Sequence, residues 1–221
     1  MDPSDARVVE LLGVLVSIGA WLLCLATTFM STWLTLSTEL LPTESYQLGL
    51  WETCVVQEHG AHECRPYDGL LGLPPDIKLA RILMCVAVAT GLLGSAVAVP
   101  GTHPVTACDP RLEDAEVKRV MRRVGGALCL ATGVLGLLPV SHVAHLTAVR
   151  FFDQSVPALV PRWEFGSALF CGWTAGVLHL AAGVLLLASS RRSAQERRDA
   201  PIPLAGVRPG PGGRRTRAEY V

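Results

Sequence analysis

Four stretches of the chain lose almost every charged position for about 20 residues or more, the length a helix rising 1.5 Å per residue needs to cross roughly 30 Å of hydrocarbon. They run from Val8 to Met30, Ala80 to Val99, Val124 to His145 (apolar core ending at Val143) and Gly166 to Ala188. Between the first two the pattern changes to the alternation of half-buried antiparallel strands. Thr32 to Leu40 is rich in Thr, Leu and Trp, Tyr46 to Trp51 follows a turn at Pro42, and Cys54 to Gln57 precedes a turn around Gly60. Tyr67 to Leu73 then sets Tyr67, Leu70, Leu71 and Leu73 on one side of a short helix that Pro74 and Pro75 end. The pattern predicts a mainly α membrane protein with a small sheet in loop 31–79, a connection at 100–123, a short second loop at 146–165, a leading segment 1–7 and a tail 189–221.

Composition agrees: half the residues are hydrophobic, 17% are charged, and the mean hydropathy is +0.40. The formal net charge of zero conceals a sorting of charge that predicts orientation. Arg111, Lys118, Arg119, Arg122 and Arg123 crowd the 100–123 connection, and Arg191, Arg192, Arg197, Arg198, Arg208, Arg214, Arg215 and Arg217 crowd the tail. Loop 31–79 has Arg65 and Lys78 against seven acids, and loop 146–165 has Arg150 and Arg162. Cytoplasmic segments carry the excess of Lys and Arg, so both termini are expected in the cytosol and both other loops outside. The leading Asp2, Asp5, Arg7 and Glu10 make no basic n-region, and the first span reads as an uncleaved helix.

That topology divides the seven cysteines. Cys24, Cys85, Cys129 and Cys171 lie within spans and read as small hydrophobes. Cys54 and Cys64 face an oxidising space, where a disulfide closing so short a loop contributes about 3 kcal/mol. Zinc held by Cys54, His59, His62 and Cys64 is the competing reading of those residues. Small residues should mediate helix packing, notably Gly172 and Gly176 on span four and Gly91, Gly94, Gly125, Gly126, Gly133 and Gly136 on spans two and three. Pro139 is expected to kink span three. His142, His145 and His179 suit either interfacial or packing roles or a proton relay or metal site, and no intramembrane carboxylate is expected to partner them.

No enzyme constellation is present: no Gly-rich phosphate loop, no HExxH, and no Ser, His and acid grouping on elements that would gather it. No cofactor, resident metal or nucleic-acid partner is expected. The chain lacks Asn, which excludes N-glycosylation.

Trp33, Gly49-Leu50-Trp51, Cys54 two residues on and Cys64 after nine more together resemble the claudin signature. Leu71-Gly72-Leu73-Pro74 leading to Arg81, Phe151-Phe152-Asp153, Trp163-Glu164-Phe165-Gly166 and the terminal Tyr220-Val221 strengthen the likeness. Pro139 to His145 and Val160 to Gly166 resemble the subgroup of claudins twenty-two and twenty-four.

The resemblance implies a left-handed four-helix transmembrane bundle topped by an antiparallel sheet, with four strands from the first loop and one from around Arg162 to Phe165. It implies tight-junction strands built by association with itself and other claudins, in the same and the opposing membrane, sealing or selectively leaking the paracellular route. The lateral contact falls on Leu70 and Phe151, with Phe152 and Trp163 beside it; packing of Leu70 on its own sheet is the alternative. The ion-selectivity positions fall on Arg65 and Gln57, which suggests a cation barrier or weak anion preference unless Arg65 is spent on Glu63 or Asp68. Tyr220 and Val221 offer a carboxylate and a small apolar terminus to a PDZ groove of the zonula occludens type, carried on a disordered tail of Pro, Gly and Arg. The tail's arginines suit anionic membrane lipid, and Cys108 is a palmitoylation candidate. The second loop departs from the enterotoxin-binding turn, since Pro157-Ala158-Leu159-Val160-Pro161 lacks its Asn. Two other classes remain open: a related tetraspan acting in adhesion or as a channel auxiliary subunit, and a membrane transporter or enzyme.

Overall fold

The computed structural model describes residues 3–37, 44–57, 61–69, 73–102, 114–153 and 162–199. Four helices long and apolar enough to span a membrane account for most of them. They are α1 (Pro3–Phe29), α2 (Pro75–Ala98), α3 (Ala115–Phe151) and α4 (Ser167–Asp199). The strands are β1 (Leu34–Ser37), β2 (Glu44–Leu48), β3 (Glu52–Gln57), β4 (His62–Pro66) and β5 (Trp163–Phe165).

The helices outrun their apolar stretches. Helix α2 begins at Pro75, whose missing N–H is no loss in a first turn, with Asp76 at the positive end of the helix dipole. Helix α3 extends nine residues before Val124 and continues to Phe151, because Glu, Lys and Arg are good helix formers once a bundle gives the helix a face to bury. It runs unbroken through the buried Pro139.

Helix α4 packs between α1 and α3, and α2 packs on the other flank of α3; α1 and α2 touch only sparingly. Close approach of α3 and α4 depends on glycine. A Cβ on Gly176 would lie 2.5 Å from Leu137 Cγ, and one on Gly133 would lie 2.9 Å from the Gly176 carbonyl. Gly136, by contrast, has open space where its Cβ would be, so its expected packing role is not observed.

All pairings in the five-stranded sheet are antiparallel, in the order β4-β3-β2-β1-β5. The second loop thus closes the edge that β1 would otherwise leave open. The core runs from the sheet into the bundle: Trp33, Leu34, Leu50, Leu73, Ile77, Ala80, Met84, Val140, Val143 and Leu169 form one buried cluster. The residues expected to form a helix before Pro74 begin with Tyr67 to Gly69, which are not helical, and continue with 70–72, which lie outside the described residues.

Candidate functional site

The sheet is fastened to the bundle by indole and guanidinium groups that seek backbone carbonyls at the end of α1. Trp33 is fully buried and its Nε1–H donates to the Thr27 carbonyl at 2.9 Å. Trp51 Nε1–H donates to the Thr28 carbonyl at 2.9 Å, and its ring stacks on Phe29 at 5.9 Å. Helix-end carbonyls lack intrahelical partners. The two tryptophans therefore cap α1 while filling the space between helix and sheet. Gly49 admits this approach, since a Cβ there would sit 2.6 Å from Ser31 Cα.

Arg81, in the second turn of α2, completes the anchor. Its Nε–H donates to the Leu50 carbonyl at 2.8 Å, and Nη2 reaches the same oxygen. Its guanidinium lies over Trp51 at 4.6 Å and Tyr67 at 5.6 Å. The Tyr67 hydroxyl donates to the Gly49 carbonyl at 3.3 Å, returning the chain after β4 to the same loop. Trp33, Gly49, Leu50, Trp51 and Arg81 thus form one hydrogen-bonded anchor. Thr27, Thr28, Phe29 and Tyr67 belong to it too, although their residue types carried no signal.

Cys54 and Cys64 sit opposite each other on β3 and β4 and form a disulfide. This overturns the zinc alternative, because both thiols are consumed; His62 points along an exposed strand, and His59 lies outside the described residues.

Register puts Arg65 opposite Thr53, and Gln57 shares Thr53's face two steps further along β3. The expected selectivity residues therefore lie on one face of one hairpin, but about 13 Å apart along it. Both are exposed, and neither Glu63 nor Asp68 forms an ion pair with Arg65 among the described residues.

The second loop's ends converge at the other sheet edge. Thr147, Ala148, Phe151, Phe152, Trp163, Glu164 and Phe165 line a mostly apolar groove of about 390 Å³. Phe151 and Phe152 meet edge-to-face at 5.4 Å. Arg162 donates through Nη1 to the Phe151 carbonyl and lies 5.6 Å over the Phe151 ring, tying the strand to the end of α3. Gly166 ends β5, where a Cβ would collide with the Thr32 carbonyl oxygen at 1.9 Å. Leu70, Cys108, Tyr220 and Val221 and the turn 157–161 lie outside the described residues.

The histidines do not converge. His142 Nε2 lies 3.9 Å from Asp76, which also binds Arg150 at 3.2 Å; His145 is exposed, and His179 is buried within α4 without a hydrogen-bond partner among the described residues. The expectation of carboxylate-free spans is overturned at the end of the bundle away from the sheet. There Glu10 of α1 is buried in an ion pair with Arg122 of α3. A lone Glu near a span's start gave no sign of a partner over a hundred residues away.

A four-span bundle carrying a disulfide-closed sheet on one end, with the sheet's rim and groove exposed, defines a class of tetraspan membrane protein. The family model for the PMP-22/EMP/MP20/Claudin family matches residues 7–186. The chain is 33% identical to human Claudin-3 over 183 residues, covering 81% of each protein. It is 34% identical to Claudin-9 of Mus musculus over 169 residues (75% of this chain, 76% of that protein) and 32% identical to human Claudin-4 over 180 residues (80% and 84%). The chain belongs to the PMP-22/EMP/MP20/Claudin family, and its likeness to claudins gives it the general role of a multi-pass membrane protein of tight junctions that associates with claudins.

Proposed function

We propose that this protein forms a paracellular barrier to cations, or a weakly anion-preferring pore, with Arg65 as the deciding charge. The observation that carries the reading is the exposed Arg65 side chain on β4, with no ion pair to Glu63 or Asp68 among the described residues. A charge about 4 Å from a passing ion contributes on the order of 1–4 kcal/mol in surroundings between bulk water and a protein surface. Charges more than roughly 8 Å away are largely screened at physiological salt, so Arg65 outweighs the loop's more numerous acids. Gln57 adds no charge.

Lateral assembly fits the groove lined by Phe151, Phe152 and Trp163, which has the size and apolar character to take an aliphatic side chain such as Leu70 of a neighbour. The cations at the bundle end away from the sheet support cytosolic termini, from which Tyr220 and Val221 engage a PDZ scaffold. Cys108 as an acylation site belongs to the same reading.

The test is the transepithelial resistance and NaCl dilution potential of claudin-depleted epithelial monolayers expressing the chain or its Arg65→Glu variant. The expected result is raised resistance or a chloride preference that reverses in the variant. Identical resistance and potential for both proteins, each confirmed at cell contacts, overturns the role of Arg65.

A further inference from the structure

The end of the bundle away from the sheet gathers guanidinium groups that the barrier does not use. Contacts between α3 and α4 pair Gly133 with Gly176, Gly126 with Gly183 and Arg123 with Ser190, so the two helices run antiparallel. Continuing that register sets Arg119, one turn before Arg123, alongside the turn of α4 that follows Ser190 and begins with Arg191 and Arg192. Arg123 Nε–H donates to Ser190 Oγ at 2.9 Å, which holds its fork against α4 while the side chain stays exposed. Arg119 is half-buried, and its Nε is sealed from solvent with no hydrogen-bond partner among the described residues. Burying an N–H of a charged group unpaired is costly, and it points to an acceptor that the described residues do not supply.

Among the described side chains, the nearby acids do not supply that acceptor. Glu10 is paired to Arg122 inside the bundle, and Asp114 and Glu116 are exposed at the start of α3. These arginines flank the ends of the apolar lengths of α3 and α4, and lipid phosphates begin where a bilayer's hydrocarbon ends. Guanidinium forks match phosphate oxygens two at a time, and several arginines in one place favour a headgroup with more than one negative charge.

We propose that Arg119 and Arg123, with Arg191 and Arg192 at the rim, bind the phosphorylated headgroup of a multiply charged inner-leaflet phospholipid between α3 and α4. The site is distinct from Arg208, Arg214, Arg215 and Arg217 further along the tail. Its assignment to the inner leaflet rests on the topology proposed above.

The test uses the full chain in phosphatidylcholine nanodiscs, titrated with a fluorescent short-chain phosphatidylinositol bisphosphate and read by anisotropy. Nanodiscs expose both leaflets, so the result does not depend on orientation in the cell, which accessibility of a terminal tag on intact cells tests separately. Saturable binding is expected, weakened about tenfold or more by Arg119→Gln with Arg123→Gln. It should survive replacement of Arg208, Arg214, Arg215 and Arg217 by Gln. Arg119→Lys with Arg123→Lys retains the charge without the fork and should weaken binding to a lesser degree, which keeps the test open if the Gln pair misfolds. Several outcomes overturn the site: no binding, equal affinity in the Gln pair (or, should that misfold, in the Lys pair), loss only in the tail variant, displacement by inorganic phosphate at equal concentration, or equal competition from phosphatidylserine at matched charge.

Discussion

Each end of the bundle buries an arginine, and the two are accommodated in opposite ways. Arg81 at the sheet end faces no carboxylate among the described residues; its fork grips the Leu50 carbonyl and its flat face lies over Trp51 and Tyr67. Arg122 at the far end is more deeply buried and paired with Glu10. A backbone carbonyl and two aromatic faces suffice for Arg81, which keeps 9% exposure against 1% for Arg122. A site sealed among four helices needs a full counter-charge, because an isolated ion there would cost several kcal/mol. The sheet end is therefore held by directional hydrogen bonds that set the angle of the sheet on the bundle. The far end is held by a charge pair that locks α1 against α3.

The largest test of that contrast is Glu10→Gln, which leaves Arg122 buried without its counter-charge. It should destabilise the bundle by about 3–5 kcal/mol, seen as a lower thermal aggregation midpoint in detergent by fluorescence-detected gel filtration. Glu10→Leu combined with Arg122→Leu should recover most of that loss; a double variant as unstable as the single one would remove the counter-charge argument. Next, Cys54→Ser with Cys64→Ser should cost the sheet about 3 kcal/mol. It should increase amide exchange in β3 and β4 while leaving the midpoint of the helical bundle nearly unchanged. Equal loss at both ends would show that the two are not separate. The smallest effect is expected for Arg81→Lys, which keeps charge but loses the fork and the stacked plane, worth about 1–2 kcal/mol. A thermal midpoint matching the unsubstituted protein would mean that charge alone, and not planar geometry, holds the anchor.

Much of this architecture was legible in the chain. Hydropathy located all four spans because a helix in lipid must satisfy its backbone internally and present apolar side chains for its whole crossing. It missed the extensions of α2, α3 and α4, since polar residues that continue a helix beyond the bilayer carry no such signature. Alternation found β1 to β3, and the likeness to claudins supplied β4 and β5. A strand of only Trp163 to Phe165 is too short for a period of two to register. The conspicuous residues Trp33, Trp51, Arg81, Cys54 and Cys64 were all singled out, yet their partners Thr27, Thr28 and Leu50 act through backbone carbonyls, to which residue identity is almost irrelevant.

Sequence by itself determined the number and place of the spans, the two cysteines of the loop between the first two spans and the segregation of positive charge, because each depends on composition within one local segment. Only tertiary structure decided that Arg81 would meet a carbonyl and two rings, that Glu10 would find Arg122, and that Phe151, Phe152 and Trp163 would share a groove. Those outcomes depend on which faces of distant helices turn toward each other, and close packing through residues such as Gly133 and Gly176 settles that orientation only when the whole bundle assembles.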